Sequence, residues 1–311
     1  MVDRRAQLPQ LSGETFLTDG GMETTLIFHD GIDLPHFASF PLLENEHGID
    51  TLRAYLAGYI EIADSFGVGL ILDTVTWRAN ADWGARLGYS ADDLASVNRR
   101  AVEFLAEISK ARARPPIVVS GCIGPRGDAY SPDSIMTAEE AEAYHRPQIE
   151  TLADTAADLV TAYTLTYASE AVGIVRAAGS ASIPAVISFT VETDGKLPDG
   201  QPLRAAIEEV DAKTEGSAAY FMINCAHPTH FEHVLNEPGE WRDRIRGLRA
   251  NASVKSHAEL DESEELDAGD PLDLAARYRT VQTHLENLTV VGGCCGTDQR
   301  HVAAIAAALT T

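Results

Sequence analysis

Apolar residues follow two alternating patterns along this chain. Short, near-continuous apolar runs occupy 15–21, 67–76, 116–125, 157–166, 183–190, 218–225, 245–254 and 288–295, as in "GVGLILDTVT" and "LTVVGGCC". Runs that are apolar throughout, rather than at every second residue, are expected of parallel strands covered on both faces. Between them lie longer stretches with an apolar residue every three or four positions. In 49–66, Leu52, Tyr55, Leu56, Tyr59, Ile60 and Ala63 form one apolar face, the pattern of a helix lying on a core. The stretch 136–156 repeats it. There Thr137, with Glu140 three residues on, makes a capping box, and Pro147 predicts a kink or break. Gly216 ends "AIEEVDAKTEG" as a left-handed C-terminal residue. Further helices are expected over 272–287 and 298–309, and the polar stretch 256–271 reads as a surface loop after the seventh run.

Eight strands, each followed by a helix, predict a (β/α)8 TIM barrel. No Pro/Gly/Ser linker, repeat or low-complexity tract divides the chain, so a single domain over 1–311 is expected. Barrels of this kind place their chemistry at the C-terminal ends of the strands. Here those ends carry Asp19, Thr74, Cys122, Tyr163, Asn224, Cys225, Asn251, Cys294 and Cys295.

Charge narrows the range of partners. Of the 311 residues, 47 are Asp or Glu and 24 are Lys or Arg, a formal net charge of −23. Such a surface repels phosphate backbones and anionic lipid, so neither nucleic acid nor membrane is expected as a partner. No apolar stretch approaches the roughly 20 residues that a bilayer requires. The N-terminus lacks the apolar core of a secretory signal. Four cysteines in this length make no disulfide framework, which points to a reduced, cytoplasmic protein. No glycine-rich phosphate fingerprint is present, so no nucleotide cofactor is expected.

Cys294 and Cys295 stand side by side at the end of the last run. Neighbours in a regular strand point to opposite faces, so both can aim at one point only if the backbone bends. Gly292, Gly293 and Gly296 permit that bend. With Cys225 they could surround one metal ion, three soft thiolates with a fourth position open, as in a catalytic zinc site. Buried structural thiols and redox chemistry are the other readings of the same spacing. A bridge between the adjacent pair would be strained.

The motifs "TDGGMETTL" (18–26), "IGP" (123–125), "ISFT" followed by "DGQPL" (within 187–203), "NCAHP" (224–228) and "GGCCGT" (292–297) occur in order. Together they resemble the homocysteine S-methyltransferase family, from about Thr15 to Ala308. The resemblance implies a (β/α)8 barrel with zinc held by Cys225, Cys294 and Cys295, and the substrate thiol as fourth ligand. It implies methyl transfer from a sulfonium donor, S-methylmethionine or S-adenosylmethionine, to homocysteine or a related thiol, the step that makes methionine. It also implies that Asp19 holds the substrate's amino group while Gly20 and Gly21 offer N–H groups to its carboxylate. Asn224 would orient Cys225, and Thr74 and Asn251 would line the cavity. A cationic donor prefers aromatic faces, for which Trp77, Tyr163 and Phe189 are candidates.

The chain departs from the family at strand four, where Tyr163–Thr164 replaces the usual Glu-Thr. That Glu would be the second acidic partner of the substrate's ammonium. Either homocysteine is held differently or the acceptor lacks the amino group. Strand two departs as well, and there Asp73 can add negative charge. Two other functions use the same thiols: a non-catalytic zinc-binding barrel, and a lyase or hydrolase acting through zinc-bound water. His227, His230 and His233 lie near Cys225 and could suggest extra ligands, but His230 and His233, three apart at a helix start, read as a solvated face, and Cys122 as a small cavity-lining residue. Lys255 holds the place of a Schiff-base lysine, a role the three thiols make unnecessary.

Overall fold

The computed structural model describes residues 4–111, 116–130, 134–263 and 265–310. All eight apolar runs become strands: β1 (Phe16–Leu17), β2 (Gly69–Asp73), β3 (Ile117–Ile123), β4 (Leu159–Leu165), β5 (Ala185–Phe189), β6 (Tyr220–Asn224), β7 (Ile245–Ala250) and β8 (Val290–Gly293). They pair in parallel in chain order, and β8 pairs with β1 to close the barrel. The helices are α1 (Met22–Phe28), α2 (Glu46–Phe66), α3 (Ala81–Arg86), α4 (Ala91–Lys110), α5 (Ala138–Ala153), α6 (Ala168–Ser180), α7 (Leu203–Thr214), α8 (Pro228–Phe231), α9 (His257–Asp261), α10 (Pro271–His284) and α11 (Gln299–Leu309). Among the described residues, no helix is long and apolar enough to cross a membrane.

The continuous apolar runs have a simple cause. Along each strand one set of side chains, Phe16, Ile71, Val118, Leu159, Val186, Tyr220, Met222 and Val290, packs inside the barrel. The alternate set, including Leu17, Leu70, Val119, Val160, Ile187, Phe221 and Val291, packs outward in the layer shared with the helices. Both faces are dry, so period two disappears from the sequence. Each fully buried Phe or Leu contributes roughly 1.5–3 kcal/mol to this arrangement.

Helix ends follow their local signals. Asn45 caps α2 by accepting from the Gly48 N–H at 2.9 Å, and Gly67 ends it in the left-handed region at φ 66°. The Thr137–Glu140 box caps α5. Gly216 is left-handed after α7, and Glu215 before it shares that conformation. Two expectations need correction. Pro147 does not break α5, which runs on from Ala138 to Ala153. Close packing on α6, where a Cβ at Gly173 would lie 2.5 Å from the Ala141 methyl, holds the element together despite the missing N–H. The stretch 256–271 is not a plain surface loop. Ser256 and Glu259 form a capping box that starts α9, and His257 is buried beneath it. Leu260, Leu266 and Asp267 then face the cavity at the mouth of the barrel.

Candidate active site

β6 and β8 deliver the cysteines to the C-terminal mouth, and β7 between them fixes their backbones. The Cys225 N–H donates to the Arg249 carbonyl at 3.1 Å and the Cys294 N–H to the Ala250 carbonyl at 2.8 Å. The Ala252 N–H donates to the Cys295 carbonyl at 3.1 Å. Cys225 leaves its strand in the left-handed region, φ 54°, a conformation that costs a non-glycine residue about 1–3 kcal/mol. The result is that all three Sγ atoms lie within 4.8 Å of one another. Cys225 and Cys294 are joined as a disulfide with Cα atoms 5.4 Å apart, while Cys295 is a free thiol. The bridge therefore runs between strands rather than between sequence neighbours.

Three thiols at this spacing fit one soft tetrahedral cation. Zn–S bonds of about 2.3 Å place ligand sulfurs roughly 3.8 Å apart, which requires the Cys225–Cys294 bridge to be reduced. Bridge and metal are alternatives. Each sulfur also has a polar neighbour at 3.9 Å: Thr164 Oγ1 for Cys225, Asn224 Nδ2 for Cys294 and the Tyr130 hydroxyl for Cys295. Hydrogen bonds of this kind orient metal ligands and tune their basicity. Burial pushes the Cys295 thiol up to about 11, partly offset by Tyr130, so a cation is needed to make it a thiolate near neutral pH.

Asn224 does more than precede Cys225. Its Oδ1 accepts from Ser188 Oγ at 2.6 Å and from the Thr164 N–H at 2.9 Å, and its Nδ2 donates to Thr164 Oγ1 at 2.8 Å. Thr164 sits in a bulge of β4 with φ 62°, so Asn224 fixes the residue that faces the Cys225 sulfur. His257 lies within 2.7 Å of the Cys225 carbonyl through Nε2 and 3.1 Å from Glu192 through Nδ1, and it stacks on the Tyr130 ring.

Beside the sulfurs is a cavity of about 440 Å³ lined by Asp19, Asp73, Tyr163, Arg249, Trp77 and Phe37, among others. Its floor is an ion cluster. Arg249 Nη2 donates to Asp19 Oδ1 at 2.5 Å and to the Gly20 carbonyl at 3.0 Å. Nη1 donates to Asp73 Oδ2 at 2.9 Å, and Nε to the Gly293 carbonyl at 2.9 Å. The Tyr163 hydroxyl donates to Asp73 Oδ2 at 2.8 Å and the Tyr55 hydroxyl to Asp19 Oδ2 at 3.1 Å. Burial disfavours the charge on Arg249, but Asp19, Tyr163 and Asp73 outweigh it and hold the guanidinium protonated.

Burial raises Asp73 to about 6, against the pull of Arg249. A carboxyl raised in the folded state stabilises the protein below its unfolded value near 3.9, and that contribution is lost as pH rises through about 6. Asp73→Asn should remove this slope. Relative to the parent, the variant is expected to gain on the order of 2 kcal/mol between pH 4 and pH 7, read from denaturant unfolding at each pH. A constant difference across that range would show that Asp73 does not titrate there.

Several expected roles meet a different geometry. Asp19 is expected to await a substrate ammonium, and it is instead paired with Arg249. The Gly21 N–H is committed to Thr297, 3.0 Å from its carbonyl and 3.2 Å from Oγ1. Asn251 does not line the cavity; its Nδ2 donates to the Cys225 carbonyl at 3.0 Å. Thr74 lines the cavity but accepts from the Cys122 N–H at 2.8 Å and bonds Thr76 at 2.6 Å. Phe189 is fully buried against Phe221 and does not reach the site. The Trp77 and Tyr163 rings are there, but Arg78 lies 4.1 Å from one centroid and Arg249 4.9 Å from the other.

Cys122 faces the cavity without joining the sulfur cluster. His230 is buried rather than solvated and bonds the Val254 carbonyl at 2.9 Å, and His227 caps α8. Lys255 Nζ donates to Ser263 Oγ at 3.2 Å. The sequence reading missed Arg249, Tyr55, Thr164, Tyr130 and His257. None of them left a clear signal; β7 carries two arginines, Arg246 and Arg249, and nothing in the sequence tells them apart.

Known proteins agree with this fold over the whole chain. The sequence profile described as homocysteine S-methyltransferase matches residues 16–309. The chain is 25% identical to homocysteine S-methyltransferase 4 of Zea mays, over 96% of this chain and 90% of that one. It is 23% identical to selenocysteine Se-methyltransferase of Brassica oleracea var. italica, with the same coverage. Among solved structures, the oxidised form of the homocysteine methyltransferase MmuM from Escherichia coli superposes with a TM-score of 0.74 at 23% identity, covering 99% of both chains. Its metallated form gives 0.73 at 22% identity, covering 98% of this chain and 99% of that one.

Proposed function

The chain belongs to the homocysteine S-methyltransferase family and is a thiol methyltransferase, and from that premise we propose that Cys225, Cys294 and Cys295 hold a zinc ion that binds the acceptor's thiol. The observation that carries this reading is the convergence of the three sulfurs within 4.8 Å beside the cavity. When bound, zinc supplies the deprotonation of the acceptor thiol and a fixed position for it. Three soft ligands with one place left favour zinc over hard cations. The same three thiols are available only in a reducing compartment, which supports a cytoplasmic setting.

The protein's own side chains then have three tasks. Thr164, Asn224 and Tyr130 orient the sulfurs. Phe28, Phe37, Leu260 and Leu266 wall the cavity with apolar surface. The walls also align donor and acceptor for in-line displacement. The acceptor sulfur forms a new bond to the methyl carbon, the donor's S–CH3 bond breaks, and its electron pair returns to the donor sulfur, turning a sulfonium into a neutral thioether. No side chain has to move a proton in that step. The lining carries six carboxyl groups, of Asp19, Glu23, Asp73, Asp128, Glu265 and Asp267, against the two guanidiniums of Arg78 and Arg249. That excess draws a cationic donor such as S-methylmethionine or S-adenosylmethionine.

The test combines metal analysis of reduced protein with a methylation screen over both sulfonium donors and a thiol panel that includes homocysteine. One zinc per chain and a methyl thioether product are expected, with activity dependent on reductant. Transfer that survives chelation, or reduced protein that takes up no metal, would overturn the assignment.

A further inference from the structure

We propose that the cavity selects an acceptor thiol whose carbon skeleton carries no ammonium group, because Arg249 already occupies the place where an ammonium would be held. The inference rests on the methyltransferase reading above and names the substrate class of the same site.

An ammonium needs carboxylate or carbonyl oxygens that no cation already holds. Asp19 Oδ1 accepts from Arg249 and Oδ2 from Tyr55. Asp73 Oδ2 accepts from both Arg249 and Tyr163. Asp73 Oδ1 has no hydrogen-bond partner, but it lies beneath the cavity surface where no solvent reaches it. The Gly20 and Gly293 carbonyls also accept from Arg249. A guanidinium with three nitrogens spread over four oxygens is fixed in place, and its side chain is only 10% exposed. An incoming ammonium would have to displace it or settle beside a like charge.

The other half of amino-acid recognition loses one donor as well. The Gly21 N–H, which could meet an α-carboxylate, is held by Thr297. The remaining carboxyls of the lining do not sit on the strand ends that Arg249 bridges; Glu23 lies near Asp19 and Arg249, and burial pushes its carboxyl up toward the neutral form. Glu23 belongs to α1 and accepts from Ser39 at 2.9 Å, and Asp267, in the segment over the mouth, accepts from Ser253 at 2.7 Å. What the floor offers the chain of a bound thiol is the Tyr163 phenol, the Cys122 thiol and the Val75 side chain. Such a wall suits a short thiol whose skeleton carries no amine.

Homocysteine and 4-mercaptobutyrate share one skeleton and differ by the amino group, so they form the deciding pair. With reduced, zinc-loaded protein and a sulfonium donor, kcat/KM for 4-mercaptobutyrate should exceed that for homocysteine by about tenfold or more, since an unmet polar group is strongly rejected. Binding of each thiol, followed by proton release without donor, should show the same order. Arg249→Met should swing both ratios toward homocysteine. If that variant fails to fold, the parent's two ratios decide the matter alone. Tighter binding or faster use of homocysteine by the parent overturns this inference and leaves the methyltransferase reading standing. Failure of both thiols to bind the metal-loaded protein overturns that reading itself.

Discussion

Replacing Cys295 by alanine is expected to remove the metal and the methyl transfer together. Cys295 is half-buried and makes no bridge, so its fold contribution is that of a small apolar side chain, on the order of 1 kcal/mol. A zinc site held by two thiolates instead of three loses a ligand in the tetrahedral set. Metal content should fall from about one per chain to near zero after dialysis, while thermal unfolding moves by only a few degrees. Cys122→Ala is the control. That thiol is buried in the same cavity but stands outside the sulfur cluster, so the variant should keep its metal. A Cys295 variant with full metal and full rate would show that the third sulfur is structural, and the proposed chemistry would fail. Equal metal loss in both variants would point instead to general damage at the barrel mouth.

The sulfur cluster could be read from sequence because two general rules intersect on it. Barrel strands covered on both faces leave apolar runs, and the ends of those runs point to the mouth. Cys225, Cys294 and Cys295 fall at such ends with glycines beside them, so their meeting needs no knowledge of side-chain packing. Arg249 shows the opposite case. Its partners Asp19 and Asp73 lie 230 and 176 residues away along the chain. Nothing in the local pattern of β7 says that one arginine turns inward to bridge β1 and β2. The cations beside the aromatic candidates were hidden for the same reason. Trp77 is followed in sequence by the arginine whose guanidinium covers its ring, and Tyr163 receives its cation from across the barrel. The segment after β7 was legible in part. Ser256 and Glu259 spell a capping box, but the many acidic residues around them obscured it. Pro147 was a true local signal overruled by packing between α5 and α6.

Removing the Arg249 guanidinium should be the most damaging single change outside the cysteines. Arg249→Leu deletes a buried cation whose two carboxylate partners are each about 9% exposed at the side chain. Breaking a buried ion pair from one side typically costs 3–5 kcal/mol, because the surviving charge has no compensation. Here two charges are left, so a loss at the upper end is expected, about 10 °C in midpoint. The loss should depend on pH in a defined direction. Asp73 is already held at about 6 by burial, with Arg249 opposing that rise. Without Arg249 its folded value moves higher, so the carboxyl stays protonated and harmless in acid. The stability deficit of Arg249→Leu should therefore be small near pH 4 and grow as pH rises toward 8. Adding Asp19→Asn and Asp73→Asn removes the uncompensated charges and should recover most of the loss at neutral pH. If the triple variant is no more stable than the single one, lost packing of the arginine side chain explains the damage, and the charge cluster is not what holds the floor of the cavity together.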